Sequence, residues 1–273
     1  MNKAATSNRQ WRLYKGAWIF LEENKERELS REEARNILKE KGLMIRNTYD
    51  FDTAEETSFW FVIKDKTEDI SELPSSTRKK IRKALKTYNY KKTSLDKIES
   101  VGYEIITSAE KSYKNIPRHT TIKKYKRLIE EYRLQNNKEY WCIENKSTGK
   151  IVGFSVNTIK SDSCEYDNAK CSTESLHNST YPYYGLFYIM NRYYLGERKV
   201  NYVSDGSRSI TDHSNIQDYL IYNFKFRKAY CRLRIHYKLW LSVVIKALFP
   251  FRKIIPLQNV RAILKMEEYS HMS

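Results

Sequence analysis

Hydrophobic and polar positions divide this chain into short segments whose period keeps changing. Ala17 to Leu21 (AWIFL) is an apolar run of strand length. SREEARNILKEKG follows, where Ser30 and Glu33 have capping-box spacing and Gly42 is a stop, so a helix is expected. Leu43 to Thr48 and Ser58 to Lys64 (SFWFVIK) have the aromatic and β-branched content of strands. Pro74 and a Ser75-Ser76-Thr77 cap then introduce SSTRKKIRKALKTY, with Ile81, Ala84, Leu85 and Tyr88 at helical spacing and cations on the other face.

Two helical stretches come next, Leu95 to Ser112 and Thr121 to Gln135, with a proline turn in NIPRHT between them. Tyr140 to Glu144 and Ile151 to Ile159 read as a hairpin turning around Ser147 to Gly149. Beyond it the pattern predicts a strand in CEYDNAKCSTESL, an amphipathic helix in YPYYGLFYIMNRYYLGERK and a polar-ended strand in VNYVSDGSRS. A helix in SNIQDYLIYNFKF and a last strand in RKAYCRLRIHY complete it. This order describes an α/β fold, a mixed sheet flanked by helices. Three regions are expected: 1–94 as an abbreviated N-terminal α/β half with the basic helix, 95–237 as a complete α/β domain, and 238–273 as a basic amphipathic tail.

Composition adds partners and compartment. A chain of 273 residues with 40% hydrophobic content fills a real core, and 22 tyrosines give it many aromatic surfaces with a polar tip. The net charge of +17 and pI of about 9.5 attract anions: nucleotide phosphates, RNA or an acidic membrane leaflet. The charge is uneven, since Ser76 to Lys92 holds eight cations and no acid, and a second acid-free stretch runs from Asp218 to Glu267. Cys142, Cys164, Cys171 and Cys231 form no C-x-x-C pair and have no His at ligand spacing, which argues against a metal and for reduced, buried thiols in a cytoplasmic protein. MNKAATSNRQWRLYKGAW lacks the apolar core of a secretory signal, and Leu239 to Phe251 is broken by Lys246 and too short to span a bilayer. The tail HYKLWLSVVIKALFPFRKIIPL mixes Trp240, Phe249 and Phe251 with Lys238, Lys246, Arg252 and Lys253. It reads equally as a helix lying on an anionic membrane at the inner face and as one packed on the domain or on a second subunit.

Candidate chemistry concentrates in one connection. Asp205, Gly206, Arg208, Asp212, His213 and Asn215 fall between a strand and a helix, where open α/β sheets bind ligands against helix N-termini. Asp205, Asp212 and His213 are candidate bases, and Arg208 is a candidate partner for a phosphate or an acidic acceptor group. The plain alternatives are a turn at Asp205-Gly206, a helix cap at Ser214 or Asn215, and Asp212 at the helix dipole.

The order Asn215, Tyr222, Phe226-Arg227-Lys228 resembles the GNAT acyltransferases, in which an Asn opens a helix, a Tyr follows two turns on and a "GFRKAY"-like turn enters the last strand. WCIENKSTGKIVGFSV is similar to their central strand pair. LPSSTRKKIRKALKTYN and YYGLFYIMNRYYLGERKVNYVSDGSRS resemble segments of the FemAB-like branch. The likeness covers about 74–237. It implies a GNAT-like mixed sheet and an N-acyltransferase moving an acyl group from acyl-CoA, or a related carrier, to an amine in cell-envelope or polysaccharide metabolism. It also implies Tyr222 as proton donor to the leaving group and Asn215 against the donor. The Q/R-x-x-G-x-G/A loop that holds the coenzyme A pyrophosphate is missing before YGLFYIMNRYY, and Lys225 stands where a Gly is expected. The missing loop fits the Fem-like branch better, where aminoacyl-tRNA is the alternative donor. A non-catalytic basic module binding RNA or membrane is the reading outside enzymes.

Overall fold

The computed structural model describes residues 10–111, 119–210 and 215–272. Its strands are β1 (Trp11–Tyr14), β2 (Ala17–Phe20), β3 (Met44–Thr53), β4 (Phe59–Lys64), β5 (Tyr88–Thr93), β6 (Lys138–Asn145), β7 (Ile151–Ile159), β8 (Ser163–Cys171), β9 (Tyr202–Ser207) and β10 (Arg227–Tyr237). Its α-helices are α1 (Arg31–Leu38), α2 (Ser75–Thr87), α3 (Leu95–Glu110), α4 (Ile122–Arg133), α5 (Thr173–His177), α6 (Pro182–Asn191), α7 (Asn215–Phe224), α8 (Leu239–Leu248) and α9 (Gln258–His271). This is the mixed α/β architecture that the sequence pattern predicts. The chain forms two compact units, one from Met1–Val62, Ser207–Ile216 and Lys228–Ser273, the other from Ile63–Gly206 and Gln217–Arg227.

In the first unit the strand order is β1-β2-β3-β10-β4. A two-residue hairpin joins β1 to β2, with Lys15 (φ 48°) and Gly16 (φ 86°) both left-handed, as a turn matched to strand twist requires. The sequence pattern missed β1, which is only four residues long. The capping box of α1 is present: Ser30 Oγ accepts from the Glu33 N–H at 3.2 Å, and the Ser30 N–H donates to Glu33 Oε2 at 2.9 Å. Trp11, Leu29, Ala34, Ile37, Leu38 and Ile45 close the core beneath that helix.

In the second unit the order is β9-β8-β7-β6-β5. Three meander pairs are antiparallel, and β8 with β9 is parallel. Ile98, Ile105 and Ile106 of α3 and Tyr125 and Ile129 of α4 pack on Phe154 and Val156 of the sheet.

Two local expectations need correction. Ser75, Ser76 and Thr77 do not cap α2; Pro74 precedes the helix, and Thr77 turns inward to donate to Asn223 Oδ1 at 2.9 Å. Strand β5, which the sequence pattern does not show, follows α2 directly and pairs with β6 from Tyr88↔Asn145 to Thr93↔Tyr140. Helix α6 is not amphipathic: Pro182, Gly185, Leu186, Phe187, Tyr188, Met190 and Asn191 are all buried. The proline turn expected in NIPRHT falls largely outside the described residues.

Candidate active site

Strands β8 and β9 are held together only at their beginnings. Their parallel register runs Ser163↔Tyr202, Cys164↔Val203 and Glu165↔Ser204, whereas β8 continues to Cys171 and β9 to Ser207. Beyond Ser204 the two strands no longer share a ladder among the described residues. Such a gap leaves backbone groups that need other partners. At the far end of β8, Tyr183 of α6 supplies them: its hydroxyl accepts from the Cys171 N–H at 3.1 Å and donates to the Ala169 carbonyl at 3.4 Å.

Asp205 is the first residue of β9 past the shared ladder. The local sequence Ser204-Asp205-Gly206 produces a kink there, since the Gly206 N–H donates to Ser204 Oγ at 2.9 Å and Gly206 has φ +84°. A side chain at 206 is disfavoured by that left-handed backbone. Across the gap, Glu165 Oε1 lies 3.6 Å from where a Cβ on Gly206 would stand. Glu165 is paired with Lys160 at 2.7 Å. Burial, then the negative charge of Glu165, push the Asp205 carboxyl up to about 7, far above an ordinary aspartate. A carboxylate poised there takes and releases protons near neutral pH.

One helical turn decides between two tyrosines of α7. Tyr222 is 73% exposed and so lies on the outer face of the helix. Tyr219 points inward, its ring 5.2 Å from that of Tyr184 and 6.1 Å from that of Phe187. Its hydroxyl is buried and has no hydrogen-bond partner among the described residues. Burial holds the phenol well above its ordinary pKa, with Tyr184, Cys171 and Tyr90 adding to the shift, so it stays protonated. Asn223 fixes this helix: its Nδ2 donates to the Tyr219 carbonyl at 2.9 Å, and its Oδ1 accepts from Thr77 and, at 3.2 Å, from the Tyr184 hydroxyl.

The other sequence candidates are placed differently. Arg208 belongs to the first unit, and its guanidinium is clamped 4.0 Å from the Trp60 ring centroid and 3.9 Å from that of Tyr269. Its Nη1 also donates to the Ser58 carbonyl, an occupation that explains Arg208 without a ligand. Asp212 and His213 lie outside the described residues, as does the side chain of Asn215. Glu165 and Tyr219 were not singled out by the sequence. Glu165 gains meaning only from the parallel β8–β9 register, which joins residues about forty positions apart, and Tyr219 is distinguished from Tyr222 only by which face of α7 is covered.

Where GNAT enzymes carry a glycine loop, this chain has α5 followed by Ser179 and Tyr181 in left-handed conformation, with no glycine before α6. Basic helix α2 stands beside that point, and Lys80 Nζ donates to the Tyr184 hydroxyl at 3.0 Å and lies 5.6 Å from the Tyr181 ring centroid. Its outer stripe, Lys79, Arg82, Lys83 and Lys86, is exposed. Among the described residues no cluster of His, Cys, Asp and Glu is suited to a metal, and all four cysteines are buried free thiols.

A solved structure similar in fold to this chain is the crystal structure of FemX, at a TM-score of 0.54 and 11% identity over 72% of this chain and 73% of that one. The fold of this chain is similar to that of FemX. Weaker likenesses extend to the C-terminal domain of a putative lysylphosphatidylglycerol synthetase from Agrobacterium fabrum, with a TM-score of 0.48 and 9% identity over 88% and 84% of the two chains. A GCN5-related N-acetyltransferase from Sphaerobacter thermophilus gives 0.35 and 13% over 71% and 59%. No protein-family model matches the chain, and neither does any of the curated proteins compared with it.

Proposed function

We propose that the chain is an N-acyl- or N-aminoacyltransferase whose chemistry takes place where β8 and β9 part. The observation that carries this reading is Asp205, a carboxyl with a pKa near 7 at the point where a parallel pair loses its ladder, in a fold shared with FemX. Asp205 removes the proton from the acceptor amine. Glu165, on the opposite strand, attracts that amine as its ammonium form. The free amine nitrogen then bonds to the donor carbonyl carbon, the bond from that carbon to sulfur or to ribose oxygen breaks, and the leaving atom receives a proton from Tyr219, which regains one from the nitrogen as that becomes the amide. Tyr219 takes the role that the sequence resemblance gives to Tyr222, because a leaving group enclosed by protein needs an inward hydroxyl.

The donor in this reading is an acyl-CoA, whose extended, amide-bearing arm suits a strand edge that has lost its neighbour. Tyr183 holds the same backbone groups in the free protein and gives way when the donor enters. The acceptor is an amine of cell-envelope or polysaccharide metabolism. Aminoacyl-tRNA is the second reading, favoured by the exposed stripe Lys79, Arg82, Lys83, Lys86 beside a segment that lacks the glycine loop for a pyrophosphate.

Thermal melting in the presence of acyl-CoAs, free coenzyme A, aminoacyl-tRNA and uncharged tRNA separates these readings. A ligand at a hundred times its dissociation constant stabilises the folded state by about 2.7 kcal/mol, which raises the midpoint by several degrees. The acyl-CoA reading expects that rise with acyl-CoA. A rise with tRNA alone selects the second reading, and no rise with any of them contradicts both.

A further inference from the structure

Helix α8 has two apolar sides, and only one is covered. Leu241 and Ile245 pack on Leu264 of α9, with Tyr237, Leu248 and Ile263 around them. A helix turns about 100° per residue, so Leu239, Val243, Ala247, Trp240 and Val244 make a continuous arc on the other side. All five are exposed, Leu239 at 80%, Val243 at 69% and Trp240 at 58%. Phe251, Ile254 and Leu257 are exposed in the segment that follows. Seven of the sixteen large apolar side chains exposed among the described residues therefore fall between Leu239 and Leu257. Scattered exposed apolar residues are ordinary, whereas a collected patch marks an interaction surface.

Its charge identifies the partner. Lys246 borders the apolar arc and Lys253 lies between Phe251 and Ile254; both are exposed, and neither has an ion-pair partner among the described residues. No acid occurs between Asp218 and Glu267. A two-fold contact with a second copy would set Lys246 and Lys253 against like charge, since the acid that reaches this segment, Glu268, is already paired with Arg252 at 2.9 Å. An anionic leaflet supplies the opposite charge together with an apolar interior for the indole and aliphatic groups. No helix among the described residues is long and apolar enough to cross a membrane, so the segment would lie along the surface.

We propose that α8 and the segment from Phe249 to Leu257 form a docking surface for an anionic bilayer, with Leu239, Trp240, Val243 and Phe251 entering the headgroup boundary and Lys246 and Lys253 meeting lipid phosphates. The assignment does not depend on the transferase reading.

The test is co-sedimentation of the full chain with phosphatidylcholine vesicles and with vesicles that also contain phosphatidylglycerol. Wild type should pellet with the anionic vesicles, far less with the neutral ones, and less as salt is added. W240S/V243S should weaken partitioning by more than tenfold, from the apolar burial lost. K246E/K253E should weaken it at least about thirtyfold on anionic vesicles alone, since each basic residue near such a surface contributes close to a fivefold factor. Both variants change exposed side chains and should keep the wild-type circular dichroism spectrum. The proposal is overturned if wild type does not pellet with anionic vesicles, or if both variants bind as wild type does. It is also overturned if sedimentation velocity shows W240S/V243S converting a dimer to a monomer, which would make the face a contact between copies.

Discussion

Single positions in α7 show how finely the site depends on the direction of a side chain. Tyr219 and Tyr222 are three residues apart, yet one hydroxyl is enclosed and the other ring is 73% exposed. Tyr219→Phe should therefore lower turnover with little change in donor affinity, because only leaving-group protonation is lost, while Tyr222→Phe should leave both nearly unchanged. Equal effects of the two substitutions in steady-state kinetics would remove the assignment. Lys225 offers a second test. It ends α7 with φ 54°, a conformation that costs an ordinary residue roughly 1 kcal/mol and a glycine almost nothing. Lys225→Gly should raise stability by up to about 1 kcal/mol in urea unfolding, after allowance for the greater freedom of glycine in the unfolded chain. The sequence made Lys225 visible as a departure from a glycine pattern, but only the backbone shows that the left-handed conformation is retained.

At the scale of elements, legibility follows the locality of the signal. The capping box of α1 and the β6–β7 hairpin are written in adjacent residues, and both are present. Strand β5 was hidden because no Gly or Pro separates it from α2 and because Tyr88 continues the helical apolar spacing. Its identity comes from pairing with β6, some fifty residues later. Helix α6 was misjudged for a related reason: tyrosine counts as polar in a pattern, yet here Tyr188 is buried and Tyr183 bonds to β8. The basic helix is partly structural, with Thr77 and Lys80 committed to α7 and α6, and partly solvent-exposed, along Lys79, Arg82, Lys83 and Lys86. If that outer stripe meets RNA phosphates, tRNA binding should weaken steeply with salt, and reversing Arg82 and Lys83 should flatten the slope of log affinity against log salt by about two. A slope unchanged by the reversal would leave the stripe as a solvated face.

For the whole molecule, the fold sets a protonatable carboxyl at the end of one short parallel ladder, and this has consequences for both stability and rate. The folded-state pKa of Asp205 is raised from 3.8 to about 7, so the folded protein binds its proton more tightly than the unfolded chain does. That contribution to stability is full below about pH 4 and is lost as pH rises through about 7. Asp205→Asn removes the loss and should melt higher than wild type at pH 8, which separates an effect on chemistry from unfolding. The most direct measurement is the pH dependence of kcat/KM for acyl transfer by wild type and Asp205→Asn, with the donor identified by melting. Wild type should show a rate that climbs with pH through an apparent pKa near 7, as Asp205 ionises and becomes able to take the amine proton. The variant should fall by about a hundredfold or more and lose that limb. A variant that keeps the wild-type rate and the same limb would contradict the assignment of Asp205 and, with it, the site between β8 and β9.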